Sequence, residues 1–193
     1  VLGTAVPYSG DYGISQNPES LAWDQFRLYF TDSQRGAVLR LSMDGLTPIS
    51  DVGMKSWFRD NLRTSYKNVG TFDVVNGEYN LTLYSDSSQG NQTISFNEDA
   101  KGWVSFKSFI PQTGLSVSGK YLTAITDKIY SMDEIVPKGK EGIWQHHLDD
   151  FTGGVVTNRN TFYKPPYTSN KPYFTNSSFT VMINDAPNDV KTF

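Results

Sequence analysis

The sequence predicts an all-β fold of consecutive four-stranded antiparallel meanders, arranged as in a β-propeller, with one short amphipathic helix near residues 52–62. Three observations lead there. Apolar and polar residues alternate in short runs divided by turn residues. One segment alone switches to spacings of three and four. Strands led by tyrosine recur at intervals of about 40–50 residues, the period of a propeller blade. A β-sandwich with long meanders is the competing architecture, and the run of sequential hairpins without a long Greek-key return favours blades.

The first blade spans residues 20–50, where FRLYFTD, AVLRLS and LTPI are divided by SQRG and MDG. On period-2 strands Phe26, Leu28 and Phe30 share one face, and Ala37, Leu39 and Leu41 lie opposite Val38 and Arg40. Met54, Trp57, Phe58 and Leu62 then follow a helical spacing, with Asp51 placed as N-cap. The second blade spans 69–109. In it VGTFDVV and Glu78 to Leu83 flank Asn76-Gly77, a dipeptide suited to a two-residue type I′ turn, and QTISFNED pairs with GWVSFKS. The third blade, 114–148, holds GLSVSG, KYLTAIT, DKIYSMD and GIWQHHL, with a looser insertion around Pro137 to Lys140. Tyr29-Phe30-Thr31, Tyr79-Asn80-Leu81-Thr82 and Tyr121-Leu122-Thr123 lead corresponding strands. Residues 151–193 read as a Tyr/Pro-rich arm, loop-like from Asp149 to Asn176. A strand in SSFTVMIND follows, which either begins another blade or closes the ring by pairing with an earlier strand.

With 193 residues, 37% hydrophobic and 14% aromatic, the chain can bury one sizeable core or several small repeated ones. The net charge is −3 and the basic residues are scattered from Arg27 to Lys191, so no stripe offers itself to a phosphate backbone and no nucleic acid partner is expected through this segment. Cysteine is absent, which leaves packing and backbone pairing to supply stability. No run approaches the ~20 apolar residues a spanning helix needs, and the N-terminus lacks the pattern of a signal peptide, so no membrane insertion is expected. Val1 in place of Met, and the strand-like alternation of Val190-Lys191-Thr192-Phe193, read as a piece of a longer chain.

Few residues suggest chemistry. His146 and His147 are adjacent on an expected strand, so their rings point to opposite faces and no metal site is expected. The pairs Glu98-Asp99 and Asp149-Asp150 are the only obvious candidates for the two acids of glycoside cleavage. Neighbouring strand residues diverge, however, and Glu98-Asp99 sits in a hairpin turn, where acids bond local amides. Ser116 completes no nucleophile elbow, and Ser118-Gly119-Lys120 lacks the glycine loop of a phosphate cradle. The expectation is a protein that is not an enzyme and uses no cofactor. The most interesting surface feature is the set Tyr163, Tyr167, Tyr173 and Phe174, interleaved with Lys164, Pro165, Pro166 and Lys171. It suits an arm that docks on a neighbouring subunit, since aromatics bring area at little entropic cost and prolines limit the entropy lost on ordering. A sugar-stacking platform and a loop folded over its own blade edge are the alternatives.

Several segments together resemble structural proteins of tailed bacteriophages, including marine cyanophage and crAss-like virions. They are NPESLAWDQFRLYFTDSQRGAVLRLSMDGLTPIS (17–50), GMKSWFRD (53–60), FDVVNGEYNLTL (72–83), TISFNEDAKGWVSFKSFIP (93–111), RNTFY (159–163), NDAP (184–187) and VKTF (190–193). The resemblance implies a virion component, in the tail or head-tail region, with a nozzle, muzzle or hub position ahead of collar, baseplate or fibre attachment. Its implied partners are other virion proteins and copies of itself, with a host surface glycan as a further possibility, and it carries no catalytic residues to transfer. A tail-borne carbohydrate-binding or depolymerase module is the alternative function.

Overall fold

The alternation becomes antiparallel sheets with a single helix in the computed structural model of the protein, which describes residues 8, 10–14, 16–88, 90–125, 142–147, 150–152, 155–158 and 179–181. The first sheet is a meander of β1 (Ala22–Trp23), β2 (Leu28–Asp32), β3 (Ala37–Ser42) and β4 (Gly45–Pro48), bonded in chain order. Helix α1 (Lys55–Thr64) follows a 3₁₀ turn at Ile49–Asp51. The second sheet continues with β5 (Lys67–Asp73), β6 (Glu78–Tyr84), β7 (Gln92–Asn97) and β8 (Gly102–Lys107), and the third with β9 (Thr113–Val117), β10 (Lys120–Ile125) and β11 (Gly142–Gln145). A separate hairpin joins β12 (Asp150–Thr152) and β13 (Val155–Asn158). Strand β14 (Phe179–Val181) returns to pair with β8, so the second sheet gains a fifth strand.

Four details differ from the sequence reading. The helix starts at Lys55, because Gly53 takes a left-handed φ of 71° after the 3₁₀ turn; Asp51 is not its N-cap and instead bonds Lys55 Nζ at 3.0 Å. The β5–β6 loop has four residues rather than two. Asp73 Oδ1 accepts the amides of Val75 (2.9 Å) and Asn76 (3.4 Å), and within the loop Gly77 alone takes positive φ. The stretch from Asp149 to Asn176 includes the β12–β13 hairpin. Lastly, β14 makes the second sheet five-stranded rather than four-stranded; the third has three strands among the described residues, and DKIYSMD and the Pro137 to Lys140 insertion lie outside them.

The second sheet is the middle layer. Phe72, Tyr79, Phe96 and Trp103 are register partners across β5 to β8 and so point the same way. That face meets the first sheet and α1 in an apolar core with Tyr29, Val38, Phe58 and Leu62. Tyr29 stacks on Tyr79 with centroids 4.9 Å apart, and the Trp103 indole donates to the Ile49 carbonyl at 3.0 Å. The opposite face carries Thr71, Asn80 and Ser95 and meets the third sheet, whose buried residues Tyr121 and Trp144 cluster with Phe109.

The three sheets share one internal landmark. Gly70 lies opposite Leu81 and Gly114 opposite Thr123, each partner standing two residues beyond the tyrosine of its strand. The matching position beside the first sheet is Ser20, in the 3₁₀ turn Pro18–Ser20 just before β1, whose Oγ accepts the Thr31 amide at 3.0 Å. At these points the chains press together: a Cβ on Gly70 would sit 1.9 Å from the Ser20 carbonyl oxygen, and one on Gly114 2.9 Å from Thr71 Cγ2. Strand β5 accordingly runs beside both β1 and β9.

Candidate functional site

The densest collection of polar and titratable side chains among the described residues lies between the second and third sheets. Thr71 Oγ1 and the Tyr121 hydroxyl are 2.7 Å apart, Asn80 Nδ2 donates to the same hydroxyl at 3.3 Å, and Ser95 Oγ donates to Asn80 Oδ1. Burial pushes the Tyr121 phenol well above its ordinary range, so it stays neutral and able to donate. Thr82 and Thr93 hydroxyls meet at 2.8 Å, and Thr93 donates onward to the Phe109 carbonyl at 2.6 Å. Each hydroxyl here is consumed by a neighbour in the adjacent sheet or strand.

The two histidines close this layer, though not as strand residues. Strand β11 ends at Gln145, and His147 adopts a left-handed φ of 58°. That backbone breaks the alternation, so both rings lie against Tyr121, with centroids 4.5 Å (His146) and 6.3 Å (His147) away. His146 Nε2 is 2.9 Å from Thr123 Oγ1, and His147 Nε2 is 2.7 Å from Asp73 Oδ2. Among the described residues no three His, Asp or Glu side chains gather as a metal ion would require. A Ser–His–Asp reading fails on geometry as well: Ser116 Oγ donates to the Phe72 carbonyl at 2.6 Å and accepts the Val74 amide at 3.1 Å, which ties it to the backbone on either side of Asp73.

Glu98 does not bond local amides as the sequence reading expected, because Asn97 Oδ1 takes the Ala100 amide at 2.9 Å in its place. The Glu98 carboxylate instead crosses to the first sheet. It accepts from the Tyr29 hydroxyl (2.8 Å) and Arg40 Nη1 (2.9 Å), with Arg27 Nε at 3.5 Å. Burial and this bond hold the Tyr29 phenol far above its usual range. A carboxylate gripped by two guanidiniums is a fastener between sheets rather than a poised acid. Asp150 opens β12, and Asp149 lies outside the described residues.

Set against protein-family models, curated proteins and solved structures, the chain matches none. The interface candidates Tyr163, Pro165, Pro166, Tyr167, Tyr173 and Phe174 all lie outside the described residues. Sequence reasoning missed a different surface. Leu28 and Phe30 share a strand face, the one turned from the second sheet, since Tyr29 and Thr31 are fully buried; Phe26 lies instead in the β1–β2 turn, 73% exposed, with its neighbour Trp23 66% exposed. The rigid turn that presents Phe26 is held by Asp24 Oδ1, which accepts the amides of Phe26 (2.7 Å) and Arg27 (2.6 Å). Asp24 two residues before Phe26 was the signal available, since aspartate at that spacing caps a turn. Among the described residues no helix is long and apolar enough to cross a membrane.

Proposed function

We propose that this chain is a structural component of a tailed-phage virion, located in the tail as part of a nozzle, muzzle or hub, whose sheets are propeller-like blades and whose work is contact between subunits. One observation carries the blade reading. Gly70 and Gly114 occupy the same position in the second and third sheets, Ser20 stands at the equivalent point in the turn before β1, and β5 runs beside both β1 and β9, with Gly70 against the Ser20 carbonyl and Gly114 against Thr71 Cγ2. Repeated sheets whose first strands lie side by side are the construction rule of a propeller, and sheets packed in this way leave few free edges. The polar groups fit the role: Glu98, Asp73 and Tyr121 hold sheet to sheet instead of facing a substrate. The resemblance of the segments at 17–60 and 72–111 supplies the virion location.

A particle reconstruction that places the chain on a symmetric ring in the tail is the expected result, and finding it inside the capsid would overturn the location. The glycan-cleaving alternative draws on exposed Trp23 and Phe26 beside Asp24. Incubation of the pure protein with host polysaccharide should release no new reducing ends, and sustained release would defeat the structural role.

A further inference from the structure

The loop joining β5 to β6 holds Asn76-Gly77, the only Asn-Gly dipeptide in the chain. Asn76 is exposed, beside Val74 and Val75 at 49% and 50% exposure, and its side-chain amide has no hydrogen-bond partner among the described residues. Gly77 has no side chain to shield its backbone nitrogen, and the space around it is open: a Cβ built there would meet nothing within 4 Å. The other described asparagines lack this combination. Asn68 and Asn80 are buried, with their amides bonded to the Ser33 and Tyr121 hydroxyls. Asn17 precedes Pro18, whose nitrogen carries no hydrogen to lose. Asn97 is tied at both ends of its amide, Oδ1 accepting the Ala100 amide at 2.9 Å and Nδ2 donating to the Asn76 carbonyl at 3.3 Å.

We propose that Asn76 is a site of spontaneous covalent modification. The Gly77 nitrogen gives up its proton to solvent base and attacks the side-chain carbonyl carbon of Asn76. A C–N bond forms, a five-membered succinimide closes, and the side-chain nitrogen leaves as ammonia. Water then opens the ring: attack at the side-chain carbonyl leaves aspartate, and attack at the main-chain carbonyl leaves isoaspartate, with the backbone rerouted through the former side chain. No oxidant or reductant takes part. Both products place a new negative charge beside Asp73, whose Oδ1 holds the Val75 and Asn76 amides and whose Oδ2 lies 2.7 Å from His147 Nε2. Isoaspartate also lengthens by one carbon the connection between the register partners Asp73 and Glu78. The same loop meets the third sheet through the Val74 amide, which donates to Ser116 Oγ at 3.1 Å, so the modification falls where the second and third sheets are pinned together.

The test follows the full chain over weeks in mildly alkaline buffer at body temperature, by peptide mapping and mass spectrometry. The peptide holding Asn76 should become about 1 Da heavier and split into two chromatographic products, aspartate and isoaspartate, while peptides holding the other described asparagines stay unchanged. Asn76→Gln, a change at an exposed position, should abolish the conversion, because glutamine would have to close a six-membered ring. Gly77→Ala should slow it roughly tenfold by crowding the attacking nitrogen. Persistence of Asn76 in the folded chain, while the same chain in urea converts, would overturn the proposal by showing that the folded loop holds the nitrogen away from the side chain. Conversion of Asn68 or Asn80 as fast as Asn76 would overturn it too, since exposure and the glycine would then decide nothing.

Discussion

Acidification from pH 7 to pH 5 should cost the native state about 2 kcal/mol through one side chain, His146. The imidazole is 2% exposed, 2.9 Å from Thr123 Oγ1, and wedged between the rings of Tyr121 at 4.5 Å and Phe109 at 4.7 Å. Burial holds its pKa at about 3; neighbouring His147 and Lys107 push the same way, and Asp73 opposes them. Lys107 is itself paired with Glu78 at 2.9 Å. In the unfolded chain the ordinary value is 6.5. Between the two values the unfolded state takes up a proton that the native state refuses, so stability is full above about pH 6.5 and falls as pH drops toward 3. Each pH unit in that window is worth roughly 1.4 kcal/mol, and about one and a half units separate 6.5 from pH 5. The assay is urea unfolding at pH 7, 6 and 5 for the natural protein and for His146→Gln, whose amide can still bond Thr123. Carboxylates contribute equally to both curves, so the stability gap between the two proteins should narrow by about 2 kcal/mol at pH 5. Parallel curves would refute the assignment of the acid sensitivity to His146.

Three further outcomes follow from the packing. Gly70→Ala places a methyl 1.9 Å from the Ser20 carbonyl and should lower stability by about 3 kcal/mol or more, measured by thermal unfolding; a neutral result would mean the inner strands are not pinned there. Tyr121→Phe removes the hydroxyl that joins Thr71 to Asn80 and should cost about 1–3 kcal/mol in urea unfolding, with the dichroism spectrum unchanged. Phe58→Ala empties a fully buried position between α1 and Trp103, at a cost of about 3–5 kcal/mol; a loss below 1 would argue that the helix is loosely attached.

Strands were the legible part of the sequence, because a period of two survives wherever one side of a strand is apolar. Glu78–Tyr84 shows the limit. Its alternation of Tyr79, Leu81 and Leu83 with Asn80 and Thr82 correctly divides two faces, yet every residue of the strand is buried. A polar row normally implies water, and here it implies a neighbouring sheet, which no local pattern encodes. Asn76-Gly77 misled in a related way, since Asp73 reaches forward to bond two loop amides and sets a longer turn than the dipeptide suggests. The rings of His146 and His147 were assigned to opposite faces on the assumption of extended backbone, and a single left-handed residue cancels that. The exposure of Trp23 and Phe26 was hidden for a simpler reason: alternation marks which residues share a face but not which face the chain will cover.

Strand β14 attaches to β8 across about seventy intervening residues, whereas β5 to β8 join through short hairpins. The contacts within each of the first three meanders are therefore local and can form as the polypeptide leaves the ribosome, but the flank of β8 waits until Phe179 to Val181 have been synthesised. During that interval a row of unsatisfied amides stands open to other nascent chains. Late arrival of β14 makes translation order part of the assembly, with Phe179 to Val181 acting as a latch that removes the templating edge of β8.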